Sequence, residues 1–167
     1  MKNMKQLLPV ALSALVAGCV SVTATKNGDA PAAASPSTEA KVAFDVTSGN
    51  PMVVMKTLET IELTRKQLIA SGVTPHIVVG FRGEASYYTQ TNLSMVKEAD
   101  RSDALKIAAA IRGLKRASGV DAIEQCNIPL EPRKLKTADI MPEVKLVPNG
   151  WISLVGYQQR GYAYIAP

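Results

Sequence analysis

His76-Ile77-Val78-Val79-Gly80-Phe81 is almost continuously apolar. Such a run marks a strand covered on both faces, as in the parallel sheets of α/β proteins. Helical patterns flank it. Residues 52–71 place Val54, Leu58, Ile61, Leu68 and Ile69 near helical spacing, with Gly72 as the stop. On the other side, Asp103 opens a helix over residues 103–117, closed by Gly119. Further out, Lys41-Val42-Ala43-Phe44-Asp45-Val46-Thr47 predicts a first strand, ended by Ser48-Gly49-Asn50-Pro51. Residues 120–125 predict a third strand that delivers Cys126, and residues 132–140 a short helix. A strand over 144–147 ends at Pro148-Asn149-Gly150, a last helix covers 151–160, and a final strand covers 162–165. The segment 84–96 is ambiguous. Strands alternate with helices throughout, which calls for an α/β fold: a compact, mostly parallel sheet of about five strands with helices on both faces. No internal repeat is present.

The chain of 167 residues suits one modest domain with an N-terminal extension. Aromatics are only 5% of residues, so the core is aliphatic and alanine-rich. The formal net charge is +5. Setting aside Lys2 and Lys5 lowers the 19 basic residues to 17, against 14 acidic, for +3. The remaining charges interleave along helices, as in Lys56, Glu59, Glu62, Arg65 and Lys66. That is a solvated helix face, not a basic stripe with aromatics, and it argues against nucleic-acid binding.

The N-terminus reads as an export signal over residues 1–18. Lys2 and Lys5 form a positive region, and Leu7 to Gly18 is an apolar stretch of 12 residues, too short to span a bilayer. Two endings compete. Val16-Ala17-Gly18-Cys19 looks like a bacterial lipobox (residues 16–19), with cleavage before Cys19 and lipidation of its thiol. Val22-Thr23-Ala24 suits an ordinary signal peptidase. The lipoprotein is the favoured expectation, with soluble periplasmic or secreted protein as the alternative. Residues 19–40 read as a flexible linker. Their tract Ala30-Pro31-Ala32-Ala33-Ala34-Ser35-Pro36-Ser37-Thr38 is too poor in large apolar residues to order itself. The folded domain is expected over residues 41–167.

Export leaves Cys126 as the domain's single thiol, with no partner for a disulfide. It ends a strand, and in open α/β sheets ligands gather at the strands' carboxyl ends. A helix opening near Pro132 is expected to turn its N–H groups toward sulfur and favour the thiolate. Asn127 is a candidate hydrogen-bond donor to sulfur, and Glu124 an opposing charge if it shares that face. The competing reading is a buried cysteine acting as a small hydrophobe. Gly80-Phe81-Arg82-Gly83 follows a strand as an anion-binding turn would, but matches neither the dinucleotide fingerprint nor a P-loop, so a tight turn competes. Arg82 and Gly83 lie at the same sheet edge as Cys126, where Arg82 can stabilise a thiolate or an anionic sulfur species. Asp45, Thr47 and Ser48 share that edge, with helix capping as their simpler role. His76, the only histidine, sits at the opposite edge, where it is structural. One His and one domain Cys are too few ligands for a zinc site. They also form no plausible Cys-His pair. No cofactor motif stands out, and Trp151, Tyr157, Tyr162 and Tyr164 suit an interface or a sheet edge.

The stretch Val147-Pro148-Asn149-Gly150, then Gln158-Gln159-Arg160-Gly161-Tyr162-Ala163-Tyr164-Ile165, resembles the ending of DsrE/DsrF-like proteins. Gly119-Val120, Cys126-Asn127 and Leu130 resemble that family's cysteine-bearing strand and turn, and Phe44-Asp45-Val46-Thr47-Ser48-Gly49 its opening. The resemblance implies a compact parallel α/β domain assembled as homotrimers or homohexamers. It also implies sulfur relay, with a persulfide on the cysteine matching Cys126. The chain departs from the family in being exported and in carrying Gly80-Phe81-Arg82-Gly83-Glu84-Ala85 where many relatives have a histidine-glycine pair.

The expectation is therefore a periplasmic, lipid-anchored carrier of sulfane sulfur on Cys126. Its partners would be small sulfur species or a donor or acceptor protein, its membrane contact only the lipid. The alternative is a non-catalytic oligomeric binding or scaffolding module with a buried cysteine.

Overall fold

A computed structural model of the chain describes residues 38–167. The expected export signal, the lipobox with Cys19 and most of the linker lie outside the described residues. The elements are β1 (Glu39–Val46), α1 (Pro51–Ala70), β2 (Thr74–Phe81), α2 (Arg101–Arg116), β3 (Val120–Cys126), β4 (Lys145–Val147), α3 (Gly150–Gln159) and β5 (Ala163–Ile165). The five strands form one sheet in the order β4-β3-β2-β1-β5, and each pairs in parallel with its neighbours. The α/β expectation holds, and the sheet is parallel throughout.

Side-chain alternation divides the sheet into two unequal faces. Phe44, Ile77, Val79, Phe81 and Ile123 point toward α1 and α2. Those helices answer with Val54, Leu58 and Ile61 and with Ala104, Ile107, Ile111 and Leu114, spaced at three and four residues. Each fully buried Leu or Ile contributes about 1.5–3 kcal/mol, so this face carries most of the stability. On the opposite face the buried apolar cluster is only Ala43, Val78 and Leu154, with Ala122, Tyr157 and Tyr162 against it. Helix α3 covers this thin side, and polar bonds do much of the work of holding it there.

Local chemistry sets the ends of these elements. The Asn50 side chain accepts from Met52 N–H at 2.9 Å, with Pro51 at the first helical position of α1. Gly119, at φ +81°, turns α2 into β3, and a Cβ there would meet the Pro75 carbonyl at 2.7 Å. Only glycine fits both demands.

The structure corrects two expectations. β1 starts at Glu39 rather than 41, because Glu39 and Ala40 pair with Thr74 and Pro75. Residues 132–140 do not form a helix. They make two short 3₁₀ turns, Glu131–Arg133 and Thr137–Asp139, separated by Lys134 at φ 56°. That left-handed residue stops helical propagation. The backbone instead pairs across to the segment after β2, where Thr91 N–H donates to Asp139 O and Met141 N–H to Thr89 O. The ambiguous segment 84–96 opens with a 3₁₀ stretch, Gly83–Thr89.

Candidate functional site

The carboxyl ends of β2, β3 and β4 meet around Cys126, and β1 bears on the site through Asp45, which holds Arg82. The thiol is buried, with 5% of the residue exposed, and lies at the base of a pocket of about 290 Å³. Arg82 and Gly83 from the end of β2 line the pocket, with Ile128, Pro129, Pro132 and Arg133 after β3. Asn149 and Trp151 at the start of α3 complete it.

Alternation places Cys126 on the α3 face, with Glu124 and Ala122. The helix that serves it is α3. Asn149 caps α3 by accepting from Trp151 N–H at 2.9 Å, which leaves Gly150 as its first residue. The Gly150 N–H donates to Cys126 Sγ at 3.1 Å. An N–H at a helix start directed at sulfur is an arrangement that stabilises negative charge there. The helix expected near Pro132 is absent, and this dipole comes instead from the element that follows β4.

Arg82 reaches back to β1. Its Nε donates to Asp45 Oδ1 at 2.8 Å and its Nη2 donates to Asp45 Oδ2. Asp45 is 2% exposed and also accepts from Tyr164 O–H at 2.6 Å. That carboxylate holds the Tyr164 phenol above its usual range, mainly through the hydrogen bond and then through burial. The guanidinium carbon of Arg82 sits 5.6 Å from the Trp151 ring centre. Arg82 thus lines the pocket with its charge matched by a buried partner. Arg133 is ion-paired as well: its Nη2 donates to Glu84 Oε1 at 2.5 Å and its Nη1 to Pro129 O at 3.2 Å, while its buried Nε has no hydrogen-bond partner.

Glu124 lies behind the thiol, 4% exposed, and both residues border a small void under the first turns of α3. Its carboxylate accepts from Ser153 O–H and, at 3.0 Å, from Tyr157 O–H, with Lys145 Nζ at 3.9 Å. Burial and this carboxylate push the Tyr157 phenol up to about 12. On the other sheet face, Gln125 is fully buried. Its amide donates to Ser86 Oγ at 2.8 Å and to the Cys126 carbonyl at 2.7 Å, and its oxygen accepts from Thr89 O–H at 2.8 Å.

Of the residues singled out in the sequence, Cys126, Arg82 and Gly83 come together. Asn127 does not join them: it is exposed, its N–H donates to Val147 O at 2.9 Å, and its side chain borders a neighbouring surface hollow. His76 lies at the far edge with Nδ1 3.3 Å from Asp121. Asp45 is a buried partner of Arg82, and capping of α1 falls to Asn50. Sequence reading missed Gly150, Asn149, Trp151 and Arg133. The available signal was Asn149 one residue before an apolar helix, an N-cap pattern read only as a strand end. Among the described residues no group of three or more His, Cys, Asp or Glu is placed to hold a metal.

A larger hollow of about 540 Å³ lies between α1 and the C-terminus, walled mainly by apolar residues such as Phe44, Met52, Ile61 and Ile165, with Lys56 and three threonines of α1 at its border. It holds no thiol and its exposed lining is almost wholly apolar, so the smaller pocket with Cys126 is the candidate site.

Fold and site together define a parallel α/β domain whose described residues carry one thiol, at the carboxyl edge of the sheet. No family model matches the chain. An uncharacterized protein of Aquifex aeolicus (strain VF5) is 27% identical over 125 residues, 75% of this chain and 55% of that protein. The chain therefore spans about half the length of this curated relative. Among solved structures, MTH1491 from Methanobacterium thermoautotrophicum, a protein of unknown function, matches with a TM-score of 0.54 at 18% identity. The match covers 77% of this chain and 99% of that one, and it shows a shared fold.

Proposed function

We propose that this protein is a DsrE-like carrier of sulfane sulfur, holding it as a persulfide on Cys126. The observation that carries this reading is the Gly150 N–H on Cys126 Sγ at the base of a ligand-sized pocket. In the proposed cycle the Cys126 thiolate attacks the outer sulfur of a donor, R–S–SH. The S–S bond of the donor breaks with its electron pair leaving on R–S⁻, and Cys126–S–SH forms. A second thiolate then removes the terminal sulfur and restores Cys126. Sulfur passes on with no net redox change, so the cycle uses no cofactor. The proposal includes export to the periplasm with a lipid on Cys19, a small sulfur species or a donor or acceptor protein as partner, and no nucleic acid.

Self-association belongs to the same proposal. Helix α3 exposes Trp151, Ile152 and Val155, β5 exposes Tyr164 and Ile165, and α1 exposes Met52 and Val53. Apolar side chains in that number are what a homo-oligomeric contact covers. The same faces, with the low exposure of Cys126, favour the second reading, a non-catalytic oligomeric binding or scaffolding module.

One experiment separates the two. The folded chain is treated with a sulfane-sulfur donor, or with an alkylating agent, and weighed intact. The carrier gains increments of about 32 Da, one per sulfur atom, at Cys126. A thiol inert to both treatments is that of the scaffolding module. The mass of the native N-terminus tests the lipid on Cys19.

A further inference from the structure

The charges around Cys126 are unusual for a site that would receive an anion. Its two guanidinium groups, on Arg82 and Arg133, are each paired with a carboxylate, Asp45 and Glu84. A third carboxylate, Glu124, stands two residues back from Cys126 on the same strand and face, about 6.7 Å away along the backbone. At 4% exposure it is little screened by water. The ionisable groups facing it are Tyr157 from α3, Lys145 from β4, whose side chain is 72% exposed, and Arg82 after β2, which borders the same void but is held by Asp45. Arg160 sits over the far side of the Tyr157 ring, 4.5 Å from its centre. Besides the two arginines and Asn149, the pocket walls are apolar: Ile128, Pro129, Pro132 and Trp151. The positive end of α3 is engaged by sulfur itself, through Gly150.

We propose that Glu124 makes the Cys126 pocket selective for uncharged sulfur donors and turns small inorganic anions away. An anion arriving at sulfur meets apolar walls, two arginines each already paired with a carboxylate and a buried negative charge behind the thiol. An uncharged organic persulfide meets none of these penalties, and its transfer step is the balanced one above. Selection among sulfur donors rests on the carrier reading, whereas the charge selectivity belongs to the thiol's surroundings alone. Glu124 acts at a distance here and is a specificity-determining residue, not a catalytic one.

The test uses the full chain and two reagents that differ in charge, iodoacetamide and iodoacetate. The ratio of their alkylation rates at Cys126 is compared with the ratio for free cysteine. The expected ratio is larger by roughly tenfold, from one poorly screened like charge. Glu124→Gln brings it most of the way back, and Lys145→Gln, at an exposed position, raises it further. A wild-type ratio equal to that of free cysteine overturns the proposal without any variant. A second arm, run in mild acid so that an organic persulfide is held as neutral R–S–SH, compares its loading with loading by thiosulfate. Equal loading by both overturns the selectivity and leaves the carrier standing. No loading by either, with the alkylation ratio as expected, overturns the carrier and supports the selectivity. A thiol that reacts with neither alkylating agent overturns both.

Discussion

The backbone N–H of Gly150 donates to Cys126 Sγ at 3.1 Å, joining the first residue of α3 to the last residue of β3. The approach is close enough to restrict residue 150 to glycine. A Cβ there would meet Arg82 Cδ at 2.6 Å and Cys126 Cβ at 3.0 Å. Arg82 cannot swing aside freely, because Asp45 grips its guanidinium. Gly150→Ala is therefore expected to push α3 off the sheet edge and cost about 1–3 kcal/mol through overpacking. Chemical denaturation measures the loss. An unchanged midpoint would show that the helix start is looser than described.

The Asp45–Arg82 pair is expected to matter most when broken on one side. Arg82→Met leaves a carboxylate at 2% exposure with only the Tyr164 hydroxyl as partner. Removing one member of a buried ion pair costs about 3–5 kcal/mol. The exposure of the Arg82 side chain, 16%, places this case toward the lower end. The double variant Asp45→Leu with Arg82→Met should be more stable than Arg82→Met alone, since no buried charge is then unpaired. Equilibrium unfolding of the two variants gives the comparison, and equal stabilities would sink the argument.

Gln125 sits between the thiol's backbone and the 3₁₀ stretch that follows β2. Its amide donates both to Ser86 and to the Cys126 carbonyl, so an isosteric carboxyl group cannot replace it. Gln125→Glu would set a carboxylate oxygen against the Cys126 carbonyl in a fully buried position. A loss of roughly 2 kcal/mol or more is expected, from an unpaired buried acceptor. Amide hydrogen exchange should show the loosening over residues 83–90 before the rest of the sheet. Protection lost evenly across the domain would contradict a local clamp.

How much of this was legible depended on distance along the chain. Strands β2 and β3 and helix α2 announce themselves through periodicity within a dozen residues, and they form within two residues of the expected bounds. Cys126, Arg82 and Gly83 were found together because strand ends in a parallel sheet share one edge. What supports them was not legible. Gly150 lies 24 residues from Cys126, Asp45 37 residues from Arg82, and Ser153 29 residues from Glu124. Such contacts depend on which face α3 covers, and nothing local in Gly150-Trp151-Ile152-Ser153-Leu154 states this, because the helix is apolar on its covered and exposed sides alike. The expected helix over residues 132–140 failed for the converse reason. Its local pattern allowed a helix, but its N–H groups close short 3₁₀ turns, and at its end the Asp139 carbonyl and the Met141 N–H pair with Thr91 and Thr89.

High pH should undo the α3 side of the sheet first. Tyr157 and Tyr162 pack at 5.1 Å with an edge-on ring contact, and their hydroxyls donate to Glu124 and Asp121. Burial first, then the neighbouring carboxylate, lifts each phenol from 10.0 to about 12. Tyr88, beneath the other face, is pushed up to about 12 mainly by burial. The fold thus favours the neutral phenol. The stability this provides is complete below pH 10, the unfolded value, and is lost as the pH rises from there through about 12, because the unfolded chain releases its protons first. Since α3 has little buried apolar surface beneath it, its loss of these two hydroxyl bonds should precede global unfolding. Phenolate absorbance followed against pH, with hydrogen exchange over residues 150–165, measures both events. Tyr157→Phe removes one of the late-ionising phenols and leaves Glu124 with Ser153 and Lys145, so α3 should loosen at lower denaturant but less steeply with pH. If all the phenols of the folded chain instead ionise near pH 10, the packing of Tyr157 and Tyr162 against the sheet is wrong, and with it the placement of α3 over Cys126.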